Sequence, residues 1–219
     1  MNRFAFLLEI LMLLPFDFEN TPLILLNNDG NITYWDNFLS EDEATNLFNE
    51  LQINSDWKEE TITLFGKEYK QPRLTCWYGE YGVVANGGYQ VLTKAVPFTS
   101  QLMVLKNKIE KETGYKFNCV LANLYRNEND GVGYHADDEA ILGKNPAIAS
   151  YSLGETRRFL VKHNQHKYKN ISIDLKNNSL VLMDGCLQDH WKHAIPKTKR
   201  AMSARINLTF RFLGKNDSN

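Results

Sequence analysis

The chain has 219 residues, of which 43% are hydrophobic and 12% aromatic, and its formal net charge is −1. This composition excludes a disordered chain and supports one domain with a sizeable core. Because 25 basic residues are balanced by 26 acidic ones, bulk charge is excluded as a basis for binding a polyanion, and any such binding needs a local basic patch.

The N-terminus and the cysteines bear on where the protein is located. The first residues, MNRFAFLLEILMLLPF, are strongly apolar, but Glu9 interrupts the run and no small-residue cleavage site follows. The run is also too short to span a bilayer, so we interpret it as a buried N-terminal segment and expect no membrane association. Cys76, Cys119 and Cys186 are too few and too scattered for a disulfide framework. The sequence therefore predicts an intracellular protein.

The N-terminal half contains signals for one hairpin and two helices. NNDGN (27–31) separates two apolar runs and predicts the hairpin. LSEDEATNLFNELQ (39–52) predicts a helix, because Ser40 is a suitable N-cap and acidic residues fill the first turn. TSQLMVLKNKIEKETG (99–114) predicts a second helix that ends at Gly114.

The chain after residue 115 consists largely of short β-strand patterns separated by turn residues. They are FNCVLANLY (117–125), AIASYSL (147–153), RRFLVKH (157–163), ISIDL (171–175), SLVLMD (179–184) and ARINLTFRFL (204–213). Closely spaced short strands are typical of a sandwich or barrel and not of a parallel sheet with crossover helices. With two helices ahead of them, they predict an α+β fold: a jelly roll backed by helices.

YHADDE (134–139) places one histidine and three carboxylates in five consecutive positions. Three interpretations are open: a solvated acidic turn, a helix start with Asp137 as N-cap, or a metal site. On a strand or its extension, His135 and Asp137 lie on the same face, so both can bind one metal ion. The third ligand must then come from elsewhere in the chain. The candidates are His163, His166, His190 and His193.

ARINLTFRF (204–212) alternates strictly between polar and apolar side chains. The ordinary interpretation is a half-buried strand whose polar face contacts water. If the strand lies beside a metal site, its polar face points inward, and Arg205 and Arg211 then need anionic partners. A small dicarboxylate would supply them, because guanidinium groups pair with carboxylates through two hydrogen bonds.

Taken together, several stretches resemble the AlkB family of Fe(II)- and 2-oxoglutarate-dependent oxidative dealkylases, and most closely the subgroup that includes animal DNA- and RNA-repair homologues. They are PRLTCWYGE (72–80), NLYRNENDGVGYHADDE (123–139), AIASYSLGETRRF (147–159), WKHAIP (191–196) and ARINLTFR (204–211). The combination of R-x-N-x-T-x-R with H-x-D and a distal histidine makes the resemblance specific. YGVVANGGYQ (81–90) departs from the aromatic lid segment of that family.

The resemblance implies the architecture and its division along the chain. We expect an α+β fold with a double-stranded β-helix (jelly-roll) core, two or more N-terminal helices behind it, and a nucleotide-recognition hairpin and lid. A single Fe(II)/2-oxoglutarate dioxygenase domain is expected over 1–219. The helices and lid fall within 1–115 and the catalytic core within 116–219.

The resemblance also implies roles for individual residues. Those expected to bind Fe(II) are His135, Asp137 and His193. Those expected to hold 2-oxoglutarate are Arg205, Arg211, Asn207, Asn123 and Tyr125. Those expected to contact the nucleotide are Tyr78, Asp138, Arg157, Tyr89 and the hairpin residues Phe65, Gly66 and Lys67. Asp138 is also the expected catalytic residue, since its charge complements that of a cationic methylated base.

The implied activity is oxidative demethylation of 1-methyladenine and 3-methylcytosine in alkylated DNA or RNA, which consumes O2 and 2-oxoglutarate and releases formaldehyde. We expect the protein to act as a monomer. Two alternatives stay open. One is an Fe(II)/2-oxoglutarate hydroxylase or demethylase of a protein or small molecule, which would lack base-shaping groups. The other is a non-catalytic jelly-roll binding module, which would form no succinate.

Overall fold

The computed structural model describes residues 21–64, 66–80, 84–87 and 91–214. The apolar N-terminal segment and the predicted substrate residues Phe65 and Tyr89 lie outside these described residues. Within the described ranges, no helix is long and apolar enough to cross a bilayer.

Two β-sheets form the centre of the molecule. In spatial order, the eight-stranded sheet contains β1 (Leu23–Leu26), β2 (Asn31–Trp35), β14 (Ser179–Asp184), β11 (Ile148–Gly154), β16 (Arg205–Arg211), β9 (Cys119–Tyr125), β5 (Leu74–Gly79) and β8 (Val96–Pro97). The four-stranded sheet contains β10 (Val132–His135), β15 (Trp191–Ile195), β12 (Arg157–His163) and β13 (Ile171–Leu175). Two hairpins stand apart: β3 (Thr61–Leu64) with β4 (Lys67–Lys70), and β6 (Val84–Gly87) with β7 (Val91–Lys94). The six strands predicted after residue 115 are confirmed, and strands from before that residue complete the larger sheet.

The helices are α1 (Glu41–Asn54), α2 (Ser100–Thr113) and the short α3 (Leu187–His190). Ser40 caps α1 as predicted: its hydroxyl accepts from the backbone of Glu43, and the Glu43 side chain bonds back to Ser40. Gly114 ends α2 in the left-handed region, at φ 77°. Both predicted helices are therefore confirmed to within two residues at each end.

The two faces of the larger sheet have different neighbours. One face packs against α1 and α2 in a core that contains Leu47, Leu51, Leu102, Leu105, Ile109, Ile206, Leu208 and Phe210. Apolar residues of both sheets share a second core, which contains Ile148, Val181, Phe159 and Val161. The sheets thus pack against each other with the helices behind the larger one, as a jelly roll backed by helices requires.

Strand β16 is buried along its whole length. Its apolar residues Ile206, Leu208 and Phe210 lie in the core beneath the helices, and its polar residues face the space between the sheets. The ordinary interpretation of the alternating pattern, with the polar face in water, is therefore wrong. Phe212 follows the strand and is exposed, so the apolar series ends at Phe210.

Glu110 on α2 provides a test of the packing around this helix. Its carboxylate accepts hydrogen bonds from the side chains of Lys106 and Lys116 and from the backbone N–H of Phe117. Burial opposes ionisation, but these donors outweigh it and lower the pKa of Glu110 from 4.5 to about 2. The stabilisation is therefore complete above the unfolded-state pKa and is lost as the pH falls from 4.5 toward 2.

We expect Glu110→Gln to lower the free energy of unfolding at neutral pH by about 2 kcal/mol, because bonds to a charged group are lost. The variant should also lose less stability than the parent on acidification. Urea unfolding at neutral pH and at about pH 3 measures both effects. Glu112→Gln is the matched control, because Glu112 on the same helix accepts one long hydrogen bond, 3.4 Å from the indole N–H of Trp35. Equal losses of unfolding free energy in the two variants would contradict the stabilising role assigned to the Glu110 carboxylate.

Candidate metal and cosubstrate site

A cavity of about 740 Å³ lies between the two sheets. Its floor is a row of polar residues that the strand register places side by side across the larger sheet: Thr75 on β5, Asn123 on β9 and Asn207 on β16. Strands β10 and β15 form the opposite wall. The cavity is therefore polar on a face where a jelly roll without a ligand would pack apolar side chains.

His135, Asp137 and His193 converge on the cavity. Their ligand atoms all lie within 4.8 Å of one another. Pairing of β10 with β15 sets His135 opposite His193, with ring centroids 4.3 Å apart. One carboxylate oxygen of Asp137 lies 3.9 Å from Nε2 of His193. Two imidazoles and one carboxylate with open space beside them form the donor set of a mononuclear iron site.

Hydrogen bonds around the three side chains fix their orientation. The Nδ1 atom of His135 lies 2.9 Å from the carbonyl of Gly133, so Nδ1–H donates there and the Nε2 lone pair is free. The backbone N–H of Asp137 donates to the side-chain oxygen of Gln188 at 2.9 Å. Preorganised ligands of this kind need little rearrangement to take up a metal ion.

The electrostatic environment keeps the histidine neutral and the carboxylate charged. Burial lowers the pKa of His193 to about 4, and the attraction of Asp137 offsets this only in part. Burial opposes ionisation of Asp137 as well, but the charge of Arg211 outweighs it and lowers the pKa of Asp137 below its ordinary value. At neutral pH, His193 and Asp137 are thus in the protonation states that bind metals.

A second grouping, Asp29, His163 and His190, has similarly close ligand atoms. Its chemistry is different, because Lys167 already pairs with Asp29 at 3.1 Å. The backbone N–H of Gln165 donates to Nδ1 of His163, so Nε2 carries the proton and faces Asp29. This proton occupies the position that a metal would need. Of the four histidines left open by spacing, His193 is the one that the structure places beside His135 and Asp137.

Arg205 is fully buried at one end of the cavity. One guanidinium nitrogen donates to the hydroxyl of Ser152 at 2.9 Å, whereas Nε and Nη1 have no hydrogen-bond partner. The guanidinium lies over the ring of Tyr125, 5.1 Å from its centroid. Burial lowers the pKa of Arg205 to about 10. A buried cation with unpaired N–H groups requires an anion in the cavity.

Arg211 lies beside the histidine and carboxylate group. Its Nη2 donates to Asp137 at 2.5 Å, and its Nε has no partner. Burial would lower the pKa of Arg211, but the charge of Asp137 outweighs this and raises it. The two arginines thus line one cavity, with Asn207 between them on β16, and their unpaired N–H groups fit the carboxylates of a small diacid. The donor sets therefore fit Fe(II) and 2-oxoglutarate.

The remaining polar residues of the floor hold one another in place. The side-chain amide of Asn207 donates to the hydroxyl of Ser150 at 2.8 Å, and its oxygen accepts from Thr209. The side-chain oxygen of Asn123 accepts from Nε of Arg73 at 2.8 Å. Tyr125 is buried beneath the guanidinium of Arg205 and lines the cavity. All five residues predicted to hold 2-oxoglutarate therefore lie at the same cavity.

The predicted substrate residues divide into two groups. Asp138 lines the cavity and is exposed, next to Asp137. Gly66 and Lys67 lie at the exposed tip of the β3–β4 hairpin, whose Ile62 reaches the cavity wall. The described structure thus places Asp138 at the cavity and the hairpin at the cavity edge, and their contact with a nucleotide stays a prediction.

Tyr78 and Arg157, in contrast, are buried away from the cavity lining. The Tyr78 hydroxyl donates to Ser55 at 2.7 Å, and burial raises its pKa well above the usual range. Arg157 donates to backbone carbonyls of Asn127, Asp130 and Pro196. Their predicted contact with a nucleotide stays a prediction, while their contacts in the structure support the surrounding loops.

Two residues with positioning contacts were missed by the sequence analysis. Gln188 holds the backbone of Asp137, and Arg73 holds Asn123; neither role has a local sequence signature. Gln188 lies five residues before His193, so the same segment that supplies a ligand also orients another ligand. The only available signal was position: Arg73 lies inside a stretch that carries the family resemblance, and Gln188 lies three residues before another.

Comparisons with known proteins agree with this geometry. Residues 31–211 match the 2OG-Fe(II) oxygenase superfamily. The chain is 36% identical over 206 residues to human alpha-ketoglutarate-dependent dioxygenase alkB homolog 3, an alignment that covers 89% of this chain and 71% of that protein.

The chain belongs to the AlkB family of 2OG-Fe(II) oxygenases.

Other members give the range of similarity. The Bos taurus alkB homolog 3 is 39% identical over 183 residues, and the alignment covers 80% of this chain and 63% of that protein. The Arabidopsis thaliana protein named DNA oxidative demethylase ALKBH2 is 32% identical over 213 residues, which cover 86% of this chain and 68% of that protein. The solved structure of OsALKBH1 has a TM-score of 0.59 at 19% identity, with 82% of this chain and 97% of that chain covered, and supports the shared AlkB fold.

Proposed function

We propose that this AlkB-family protein is an oxidative demethylase of 1-methyladenine and 3-methylcytosine in nucleic acids. His135, Asp137 and His193 bind Fe(II); Arg205 and Arg211 hold the carboxylates of 2-oxoglutarate, with Asn207, Asn123 and Tyr125 around it. The observation that carries the proposal is the shared cavity, in which the three ligand side chains and the two partly unpaired guanidinium groups meet.

The overall reaction is balanced by the two cosubstrates. When bound, Fe(II) and 2-oxoglutarate supply the oxidant: 2-oxoglutarate and O2 yield succinate and CO2, and one oxygen atom is inserted into a C–H bond of the N-methyl group. The N-hydroxymethyl product then breaks at its N–C bond, which releases formaldehyde and a proton and leaves the nitrogen with its electron pair. The chain's own residues bind, orient and shield the reactants.

The cavity contains acidic side chains that favour a cationic substrate. Glu60, Asp138 and Glu139 all line it, and one oxygen of Glu139 is buried without a partner. A base methylated at its pairing nitrogen carries positive charge and pairs poorly, so it is also cheaper to flip out of a duplex. We assign Asp138 to the face of the flipped base, where its negative charge complements the methylated ring.

An outer basic patch, formed by Tyr134, Lys162 and Lys192, supports binding of a nucleic-acid backbone. The β12–β15 register sets Lys162 directly opposite Lys192. Like charges in this position repel each other, and among the described residues no carboxylate lies within 4.0 Å of either ammonium group. The ammonium of Lys162 lies 4.0 Å above the ring of Tyr134, which is 39% exposed at the cavity edge. Phosphates would relieve the repulsion, and the tyrosine offers a surface for an unstacked base.

We expect Lys162→Gln combined with Lys192→Gln to weaken binding of a methylated single strand by about tenfold at low salt. The plot of log affinity against log salt should lose about 1.5 units of slope, because two phosphate contacts disappear. Fluorescence anisotropy at several salt concentrations gives both quantities. Lys111→Gln, at an exposed lysine on α2, is the control. If the slope falls equally in the control, the basic patch does not contact the nucleic acid.

Mass spectrometry of methylated oligonucleotides tests the function. Single- and double-stranded DNA and RNA, each with one 1-methyladenine or 3-methylcytosine, are incubated with protein, Fe(II), ascorbate and 2-oxoglutarate. We expect loss of one methyl group, with formaldehyde and succinate formed in equal amounts. Succinate without demethylation would favour a protein or small-molecule substrate, and absence of succinate would favour a binding module.

A further inference from the structure

Gln71 lies on the cavity wall with an unused hydrogen-bond acceptor. Its side chain is only 7% exposed and lines the cavity, yet its Oε1 has no hydrogen-bond partner in the protein. Buried polar atoms are nearly always paired, and an unpaired one is costly. An unpaired acceptor at a binding cavity is therefore a place where a ligand donor fits.

The backbone around Gln71 is held rigidly. Its N–H donates to the carbonyl of Glu60, and its carbonyl accepts from Arg73, both at 2.8 Å. The carbonyl of the intervening Pro72 accepts from Gly131 at 2.9 Å, just before strand β10. These hydrogen bonds fix the backbone of residues 71–73 against the segment that leads into β10, the strand that carries His135. They therefore hold the Gln71 side chain in a defined position relative to the metal ligands.

The ligand that satisfies Gln71 has to be a donor. 2-Oxoglutarate offers only acceptors at neutral pH, and its expected partners are Arg205 and Arg211 elsewhere in the cavity. Glu60, Asp138 and Glu139, which line the same cavity, are also acceptors and add to its preference for a group that carries N–H donors. On a methylated base, the exocyclic amino group beside the methylated nitrogen is such a donor.

We propose that the Gln71 side chain accepts a hydrogen bond from the exocyclic amino group of the flipped base and so selects amino-bearing lesions. This inference rests on the proposed demethylase function and deepens it. The preferred substrates are 1-methyladenine and 3-methylcytosine; 3-methylthymine presents carbonyl oxygens on both sides of its methylated nitrogen and leaves the acceptor unpaired. Sites that hydrogen-bond a substrate group discriminate against analogues that lack it.

The test compares kcat/KM for 3-methylcytosine and 3-methylthymine in the same oligonucleotide, using the full chain loaded with Fe(II). We expect Gln71→Leu to reduce kcat/KM for 3-methylcytosine about three- to tenfold and to leave that for 3-methylthymine unchanged. Gln71→Glu keeps the acceptor, so the preference for 3-methylcytosine should be retained or increased. Gln101→Leu, on α2, is the matched control and should leave the ratio unchanged.

Thermal unfolding of the same variants separates recognition from packing. Because Oε1 of Gln71 has no partner to lose, Gln71→Leu should unfold at the parent temperature or above it. An unchanged substrate ratio in Gln71→Leu, equal losses for both bases, or loss of the preference in Gln71→Glu would overturn the inference. If the parent protein does not demethylate 3-methylcytosine at all, the proposed function fails. If it does, but substitution of Gln71 leaves the ratio of the two kcat/KM values unchanged, only this inference fails.

Discussion

His193→Ala is expected to abolish metal binding and turnover, whereas His190→Ala, three residues away, is expected to leave both intact. His193 is buried beside His135 and Asp137, and its low pKa, about 4, keeps the imidazole neutral and able to bind a metal at neutral pH. His190 instead stacks on His163, with ring centroids 6.1 Å apart, in the grouping where Lys167 holds Asp29.

The size of the effect follows from the ligand count. Loss of an outer partner of a metal ligand alone costs 10- to 100-fold in affinity, so loss of a ligand should cost more than about 100-fold. Calorimetric titration with Mn²⁺, a redox-stable substitute, measures the affinity, and formaldehyde release measures turnover. Full activity in His193→Ala, or loss of activity in His190→Ala, would transfer the ligand role to the other histidine.

Arg205→Leu is expected to raise the KM for 2-oxoglutarate about 100-fold without destabilising the protein, since bonds to a carboxylate are lost but none within the fold except that to Ser152. In the free protein, Nε and Nη1 of Arg205 are buried and unpaired, and burial lowers its pKa to about 10. Replacement of an unpaired buried charge by an apolar side chain is neutral or stabilising.

Arg157→Leu is the matched control for this prediction. Arg157 is equally buried, but its guanidinium donates to three backbone carbonyls and does not line the cavity. We expect this variant to lose about 3 kcal/mol of unfolding free energy, because the carbonyls are left unpaired, and to keep its affinity for 2-oxoglutarate once folded. Thermal unfolding with and without 2-oxoglutarate measures both properties. If Arg205→Leu destabilises and Arg157→Leu raises KM, the two roles are exchanged.

The sequence predicted the elements whose signals are local. Ser40 caps the start of α1 and Gly114 the end of α2, both as predicted, because caps depend on a few adjacent residues. The strands after residue 115 followed from their β-rich composition and the turns between them. These signals do not depend on distant parts of the chain, which explains why they could be identified without the structure.

Features that depend on long-range packing were less predictable. The pattern of β16 gave its two faces, but only its neighbours determine that the polar face meets a cavity and not water. Spacing alone left four histidines as candidates for the third metal ligand. The β10–β15 register selects His193, because it pairs His193 with His135. Gln71 and Gln188 have no sequence signature, because their surroundings come from distant parts of the chain. Gln188 accepts from the backbone of Asp137, and Gln71 lines a cavity that several strands form together.

The most direct test is a crystal structure of the protein grown without oxygen in the presence of Mn²⁺ and 2-oxoglutarate. We predict one metal ion coordinated by the side chains at 135, 137 and 193, with the diacid bound to the same ion and its far carboxylate paired with the guanidinium of residue 205. A metal between Asp29, His163 and His190, or a diacid that leaves both cavity arginines unpaired, would contradict this account.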